Sequence, residues 1–463
     1  MALNDIEIGR EYFCREESTG KHGRFSITTE GIQATFFAFD EELSLPEEGA
    51  TILRLENNKI ISLHESFNLG SGLGSHVNSD PHMSSHSSTI IANVAVAGYS
   101  PWLPDDELWQ TGFVVPHADA LLRHRNKFRA IAEAKIGADV EKELLKISTG
   151  GMTVQIWYGA SGSIEFSRPQ MIEPYISIEF DEFKNLLSYV NSVYCVVQFL
   201  SAAICESLQP DNISLRRLPH DQWMAEIAAK RHLGGHSALY IWKRTAIKSD
   251  DVWIGRCFAH VHDDAELRAF CACLKAWIER DAIWSNATHL MMSAFKLRNV
   301  MSADRLLNAF KWLEETPETG VRRAINEENL EKILGSAIAT ANELGISDLE
   351  KRIRGGLAAI KTENHEQRFS RLIREVRETF GETVVPDELL DALKMAVAFR
   401  GKSAHGLFLP KHEEEYQAFQ RSVYGLECLC YLLLVKDLPM SLDGRQRVYR
   451  SHPVQNFRLS LES

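Results

Sequence analysis

Two hydrophobic patterns divide this 463-residue chain. In the first half, short apolar runs are β-branched or alternate with polar residues, and Gly, Asn and Ser separate them, which is typical of strands. In the second half, apolar residues recur with helical spacing and strand-like runs are lacking. The predicted strands cover residues 32–39, 51–55, 59–63, 88–96, 152–158, 163–166, 175–180 and 238–243.

The change of pattern near Asp263 predicts a domain boundary. We expect an α+β fold, in which a β-rich N-terminal domain (residues 1–263) is followed by an all-helical bundle (residues 264–463). Two helices are predicted inside the first domain, a polar one over residues 118–145 and a long apolar one over residues 182–208. The helices predicted in the second domain cover residues 265–315, 327–344, 348–380, 387–400 and 413–435.

The distribution of charge bears on the choice of partner. The formal net charge is −12, which argues against a passive nucleic-acid coat, because neutralising phosphates requires clustered Lys and Arg. Residues 1–263 hold 23 basic and 34 acidic side chains, whereas residues 264–463 hold 28 and 29. The second domain also has local basic runs, which either line an RNA path or are solvated helix faces: Arg322–Arg323, residues 351–354 and residues 445–450.

No basic N-terminal segment with an apolar run is present, and the longest apolar run, residues 428–435, is too short to cross a bilayer. We therefore expect a cytoplasmic protein without a membrane partner. Its eight cysteines lie mostly within apolar patterns, and their spacings do not fit a zinc knuckle, so we expect small core residues and no metal.

Near the C-terminus, the segment 397–406 (VAFRGKSAHG) places Arg400 and His405 in an Arg-x4-His pattern. The helix that leads to it starts at Pro386, which suits a first helical turn. Steps of three and four residues back from Arg400 reach apolar positions, so Arg400 lies on the apolar side of the helix and not on its solvated face. We expect a guanidinium in that position to require an anionic partner. Because an unbroken helix would turn His405 about 140° away from Arg400, we expect the helix to end between them, as Gly401, Gly406 and Pro410 permit.

This segment resembles the signature of the HEPN superfamily, helical domains of which many are metal-independent ribonucleases with an Arg-x4-6-His motif. The motif lies at the end of the penultimate predicted helix, as in that superfamily. Residues 305–314 (RLLNAFKWLE) are similar to an early helix of ApeA-like anti-phage proteins, and the N-terminal half, including residues 197–201 (VQFLS), is similar to their β-rich domain. The resemblance covers most of the chain, but the family usually has a polar residue where this chain has Gly401.

The resemblance implies a metal-independent RNA endonuclease, without a cofactor, that acts in abortive infection. His405 would serve as base or acid and Arg400 would stabilise the charged transition state, while Lys402 and Ser403 would contact the phosphate backbone of the RNA. One His405 cannot be base and acid at once, so a homodimer or a larger even-numbered oligomer is expected. The products would carry 2′,3′-cyclic phosphate ends, and the N-terminal domain would sense a phage-derived trigger and restrain the nuclease.

Two alternatives remain open on the sequence. One is a non-catalytic HEPN-like scaffold, in which Arg400 and His405 bind a nucleotide or stabilise a dimer, and Gly401 favours it. The other is a metal-dependent hydrolase built on the segment between His64 and His86, which holds four histidines and Asp80. That segment is rich in Gly and Ser, which favours a flexible surface loop instead.

Overall fold

The computed structural model describes most of the chain, namely residues 6–28, 31–39, 50–75, 84–135, 138–161, 169–229, 236–241, 253–346, 349–404 and 410–462. The chain forms two compact units. The β-rich unit comprises Met1–Leu200, Leu208–Val252 and His260–Glu279, and the helical unit comprises Ser201–Ser207, Trp253–Ala259 and Arg280–Ser463.

The described part of the β-rich unit contains one antiparallel sheet of twelve strands. The strands are β1 (Glu11–Glu16), β2 (His22–Ile27), β3 (Ile32–Phe39), β4 (Thr51–Leu55), β5 (Ile60–Ser75), β6 (Ser84–Gly98), β7 (Leu108–Val114), β8 (Glu143–Thr149), β9 (Met152–Ser161), β10 (Met171–Lys184), β11 (Asp211–Arg216) and β12 (His236–Ile241). Their order in the sheet is β3-β2-β1-β4-β5-β6-β12-β11-β7-β10-β9-β8.

The first six strands close into a barrel, because β3 pairs with β2 on one side and with β6 on the other. One edge of strand β6 pairs with β5 along its length. On its other edge, the first part of β6 pairs with β3 and the last part pairs with β12, which joins the barrel to the rest of the sheet. Alternate residues of β1 and β2 are buried, as period-two patterning requires. The barrel core is built from residues such as Tyr12, Phe25, Phe36, Leu53 and Ile90.

The helices are α1 (Arg125–Glu133), α2 (Leu186–Ile204), α3 (His220–Ala228), α4 (Asp264–Lys296), α5 (Ala303–Glu315), α6 (Glu327–Glu343), α7 (Glu350–Leu357), α8 (His365–Phe380), α9 (Glu388–Ala404), α10 (Glu413–Val435), α11 (Leu442–Val448) and α12 (His452–Glu462). In the helical unit, α10 is the central element and packs against α5, α8, α9 and α12. Its second half is buried without interruption from Gly425 to Val435.

Among the described residues, one helix is long and apolar enough to cross a membrane, and it is α10. However, 78% of its most apolar window is buried inside the protein. A helix that is apolar on all sides is buried among its neighbours. Helix α10 therefore has the composition of a core helix.

The predicted α+β fold class, with a β-rich N-terminal part followed by helices, is confirmed. The polar helix predicted over residues 118–145 is wrong in extent, because among the described residues of this range only Arg125–Glu133 is helical and β8 starts at Glu143. The apolar helix starts later than predicted, since residues 182–184 belong to β10. The strand predicted over residues 163–166 lies outside the described residues, and the boundary at residue 263 stays a prediction, with the first turns of α4 in the β-rich unit.

Candidate functional site

Helix α9 carries Arg400 to the end of an apolar stripe. Leu389, Leu393 and Ala396 are each fully buried, and Phe399 is nearly so. Arg400 continues the same stripe beyond the packed region, and its side chain is 39% exposed. The predicted orientation of Arg400 on the apolar side of the helix is confirmed. The start of its side chain lies beside the packed residues, and its charged end is open to solvent.

The guanidinium of Arg400 is held by two residues of α5. Its Nη1 donates to Glu314 Oε1 at 2.6 Å, and its Cζ lies 4.8 Å from the centre of the Phe310 ring. The prediction that this arginine takes an anionic partner is confirmed. A guanidinium has five N–H donors, so the contact with Glu314 leaves donors for a second anion.

The end of α5 that carries Glu314 is fixed by arginines of α8. Arg368 Nε donates to the carbonyl oxygen of Thr319 at 2.7 Å, and Arg371 Nη2 donates to the carbonyl oxygen of Gly320 at 3.0 Å. The Thr319 hydroxyl donates back to Leu313 O at 2.6 Å. The bonds from Arg368 and Arg371 hold the turn that follows α5, and the bond from Thr319 satisfies a carbonyl group in the last turn of the helix, next to Glu314.

These arginines also shape the electrostatics around Glu314. Burial lowers the pKa of Arg368, and the negative charge of Glu314 opposes that change. Two hydrogen bonds from Arg371 help hold the pKa of Glu363 below its ordinary value, so this carboxylate stays ionised. The site is thus a mixed network of fixed charges. Its arginines were not singled out in the sequence, since helical position alone does not distinguish them from solvated cations.

The other predicted site residues follow Arg400 in the chain. Lys402 lies near Glu415, with Nζ 3.3 Å from Oε1, and its Nζ is 5.2 Å from the ring centre of Phe399. The Ser403 Oγ is buried and has no hydrogen-bond partner among the described residues. Gly401 is helical and exposed, and no described residue has an atom within 4 Å of the place of a Cβ. The described residues therefore leave space for a side chain at position 401.

His405 lies outside the described residues, as do residues 406–409. The structure therefore brings together Arg400 and Glu314 and leaves the distance between Arg400 and His405 a prediction. Helix α9 extends through Ala404 and so continues past Gly401. The predicted helix end between Arg400 and His405 stays a prediction, because residues 405–409 lie outside the described part of the chain.

The arginine of α5, Arg305, makes a buried ion pair. Arg305 Nε and Nη2 donate to the two carboxylate oxygens of Glu427, each at 2.7 Å, and the two side chains are 2% and 8% exposed. Arg305 Nη1 donates to Arg298 O at 2.7 Å. Burial raises the pKa of the Glu427 carboxyl, and the bonds from Arg305 oppose that rise. The pair connects the start of α5 to the middle of α10.

The described residues of the segment between His64 and His86 are strand rather than the predicted loop. His64 lies in β5, its side chain is 6% exposed, and burial lowers its pKa, so the imidazole is neutral at physiological pH. His86 lies in β6, opposite Leu73. His76, Asp80 and His82 lie outside the described residues. Within the described part, no group of three or more potential metal ligands occurs.

Comparison of the chain with protein-family models, with curated proteins and with solved structures finds no match in any of the three.

Proposed function

We propose that this chain is a metal-independent RNA endonuclease that acts in the cytoplasm against phage infection. The observation that carries the proposal is that Arg400 contacts Glu314 and Phe310 and yet has a side chain that is 39% exposed. His405 follows it five positions later in the chain. A guanidinium held in this way is prepared to bind phosphate oxygens with its remaining donors.

The proposed chemistry needs three groups. A base removes the proton of the RNA 2′-hydroxyl, which then attacks the adjacent phosphorus, and an acid protonates the leaving 5′-oxygen. Arg400 stabilises the negative charge that develops on the phosphate oxygens, and His405 has the pKa range for proton transfer. Because one imidazole cannot fill both roles, two copies of the chain supply two His405 residues to one cleft. The products carry 2′,3′-cyclic phosphate ends.

Lys402 and Ser403 are proposed to contact the RNA backbone. The β-rich N-terminal part is proposed to sense a phage-derived trigger and to restrain the nuclease. Its support is the concentration of negative charge in residues 1–263, which repels RNA until the trigger favours an open state.

The test is cleavage of RNA by the purified full-length protein in excess EDTA. We expect cyclic phosphate ends, a loss of about 10²–10³-fold in rate for Arg400→Ala and no cleavage by His405→Ala. The matched control is Arg352→Ala, an exposed arginine of α7, which should cleave like the wild type. Wild-type rates from His405→Ala, or an active species with the mass of one chain, would contradict the proposal.

A second candidate is a scaffold that binds a nucleotide or stabilises a dimer without catalysis. It is favoured by the existing pairing of Arg400 with Glu314, in which one N–H group of the guanidinium already has an anionic acceptor. In that case the wild type binds nucleotides but does not cleave RNA, and His405→Ala changes binding alone.

A further inference from the structure

Helix α11 and the residues after it form a strongly basic segment of the helical unit. Between residues 441 and 458 the chain has four arginines and one acidic residue, Asp443. Arg445 and Arg450 are exposed. Within the part of the chain that the structure describes, neither of them makes an ion pair with a carboxylate. Their charges are therefore available to an external anion, whereas Arg400 already shares its charge with Glu314.

The backbone beneath these arginines is firmly packed. Gly444 is buried, and a Cβ at its position would lie 2.4 Å from Phe258 O, so α11 approaches the segment 257–258 as closely as only glycine permits. Arg447 Nε donates to Cys257 O at 2.7 Å, and Val448 is fully buried. The exposed arginines are thus mounted on a rigid base, which reduces the entropy lost when they bind.

Two aromatic rings lie among the guanidinium groups. Trp253 is 55% exposed, and the Cζ atoms of Arg256 and Arg450 lie 5.3 Å and 5.9 Å from its ring centre. A Cβ at Gly255 would lie 2.8 Å from the Trp253 ring, so glycine makes room for the indole. The second ring, Tyr449, lies 4.7 Å from the Cζ of Arg458.

A depression of about 550 Å³ borders this segment. Its lining combines Arg445, Arg447 and Arg450 with Tyr449 and with Thr379 and Thr383 near the end of α8. Guanidinium groups bind phosphate oxygens in a planar, two-point manner, and exposed aromatic rings stack on unpaired bases. Phosphate and base are found together in single-stranded nucleic acid.

We infer that this surface, the Arg445–Trp253 surface, binds single-stranded RNA, with phosphates on Arg445 and Arg450 and a base stacked on Trp253. The inference rests on the proposed function, for which it supplies a substrate-holding region apart from Arg400. An acidic peptide would satisfy the charges but leave the indole unused.

The test measures fluorescence anisotropy of a short 2′-O-methyl oligouridine with the full-length protein. This probe lacks the 2′-hydroxyl nucleophile, so binding is read independently of cleavage. We expect Arg445→Ala/Arg450→Ala to weaken binding at least about tenfold and to reduce the slope of log K against log salt by about 1.4, the value for two phosphate contacts on a single strand. Trp253→Ala should weaken binding roughly tenfold with an unchanged slope.

The matched control is Lys351→Ala/Arg352→Ala, which removes the same charge from another exposed basic run of the helical unit. Equal losses in the control and in the α11 variant would overturn the inference, because they would show a general electrostatic effect. The inference is also overturned if the wild type does not bind the probe. A parallel measurement uses phosphatidylserine vesicles, and the inference is overturned if the α11 variant binds the vesicles less well than the wild type but binds the oligouridine equally well.

Cleavage of unmodified RNA separates this inference from the proposed function. Binding that depends on Arg445, in a wild type that never cleaves RNA, supports the surface and refutes the nuclease. Cleavage by the wild type, with oligouridine binding insensitive to the α11 substitutions, supports the nuclease and overturns the surface.

Discussion

Helix α5 supplies one member to each of two arginine–glutamate pairs, and the two pairs lie in opposite environments. At its start, Arg305 makes two 2.7 Å bonds to Glu427, and both side chains are at most 8% exposed. At its end, Glu314 makes one 2.6 Å bond to Arg400, and the side chains are 43% and 39% exposed. The shorter bond thus belongs to the more exposed pair.

The comparison shows that bond length does not rank these pairs by their importance to stability. Removing one partner of a buried pair leaves an unpaired charge out of water, which costs about 3–5 kcal/mol. An exposed pair contributes about 0–1 kcal/mol, because water and salt compete for both charges. For the same reason a phosphate can replace Glu314 as the partner of Arg400, whereas nothing can replace Glu427 as the partner of Arg305.

The largest expected effect is a loss of stability when a substitution removes one partner of the buried pair. Glu427→Ala should lower the free energy of unfolding of the helical unit by about 3–5 kcal/mol, because Arg305 is left buried without its anion. Urea unfolding followed by far-ultraviolet circular dichroism, which reports mainly the helices, measures the change. The control is Glu314→Ala, for which we expect a change below about 1 kcal/mol. Similar losses from both variants would remove the distinction between the two pairs.

The next effect concerns the exposed pair and the proposed catalysis. Arg400→Lys keeps the positive charge but loses the planar fork and the contact with the Phe310 ring. We expect the rate of RNA cleavage to fall about 100-fold, equivalent to about 2.7 kcal/mol of transition-state stabilisation, with the unfolding curve unchanged. Single-turnover cleavage at saturating protein measures the chemical step. A variant as active as the wild type would show that the guanidinium geometry is not used.

The last expected effect is a dependence of folding stability on pH, and it concerns His452, on which the charge of Arg305 acts. Burial lowers the pKa of His452 to about 4, and the positive charges of Arg298, Arg305 and Arg256 act in the same direction. The unfolded chain binds a proton near pH 6.5, so stability should fall as the pH falls from about 6.5 to 4 and then level off. The total contribution is about 3 kcal/mol.

The measurement compares wild type with His452→Gln, which cannot titrate in this range. Differences between their urea midpoints should grow across the acidic window and be constant above pH 7. A constant difference throughout would mean that His452 has the same pKa in the folded and unfolded chains. Burial also raises the pKa of the Glu427 carboxyl, but the contribution of such groups is the same in both proteins and cancels in the comparison.

Patterns with a strong local period could be predicted from the sequence. Strands β3 and β4 and helix α10 start and end at the predicted residues, since each has a continuous apolar pattern bounded by turn residues. The position of Arg400 on its helix also followed from spacing alone. In each case the information lies within a few consecutive turns or residues of the chain.

Features that depend on distant partners could not be predicted in this way. Glu314 is 86 residues from Arg400, and no local pattern indicates that they meet. The helix predicted over residues 118–145 gives way to β8, where Leu145 and Ile147 pair with β9 and are buried. Tertiary pairing therefore overrides local helical propensity. Helix α11 was missed because seven residues rich in arginine give no clear apolar period.

The placement of α10 has a consequence for the order in which the protein is made. Arg305 meets Glu427 across 122 residues, and the Tyr431 hydroxyl donates to Ala202 O across 229. A ribosome therefore releases α5 long before the helix that covers it. Until residues 413–435 emerge, the apolar faces of α5 and α9 lack their main partner, and such nascent chains are substrates for chaperones. Arg400 and Glu314 can be brought together stably only in the last stage of synthesis.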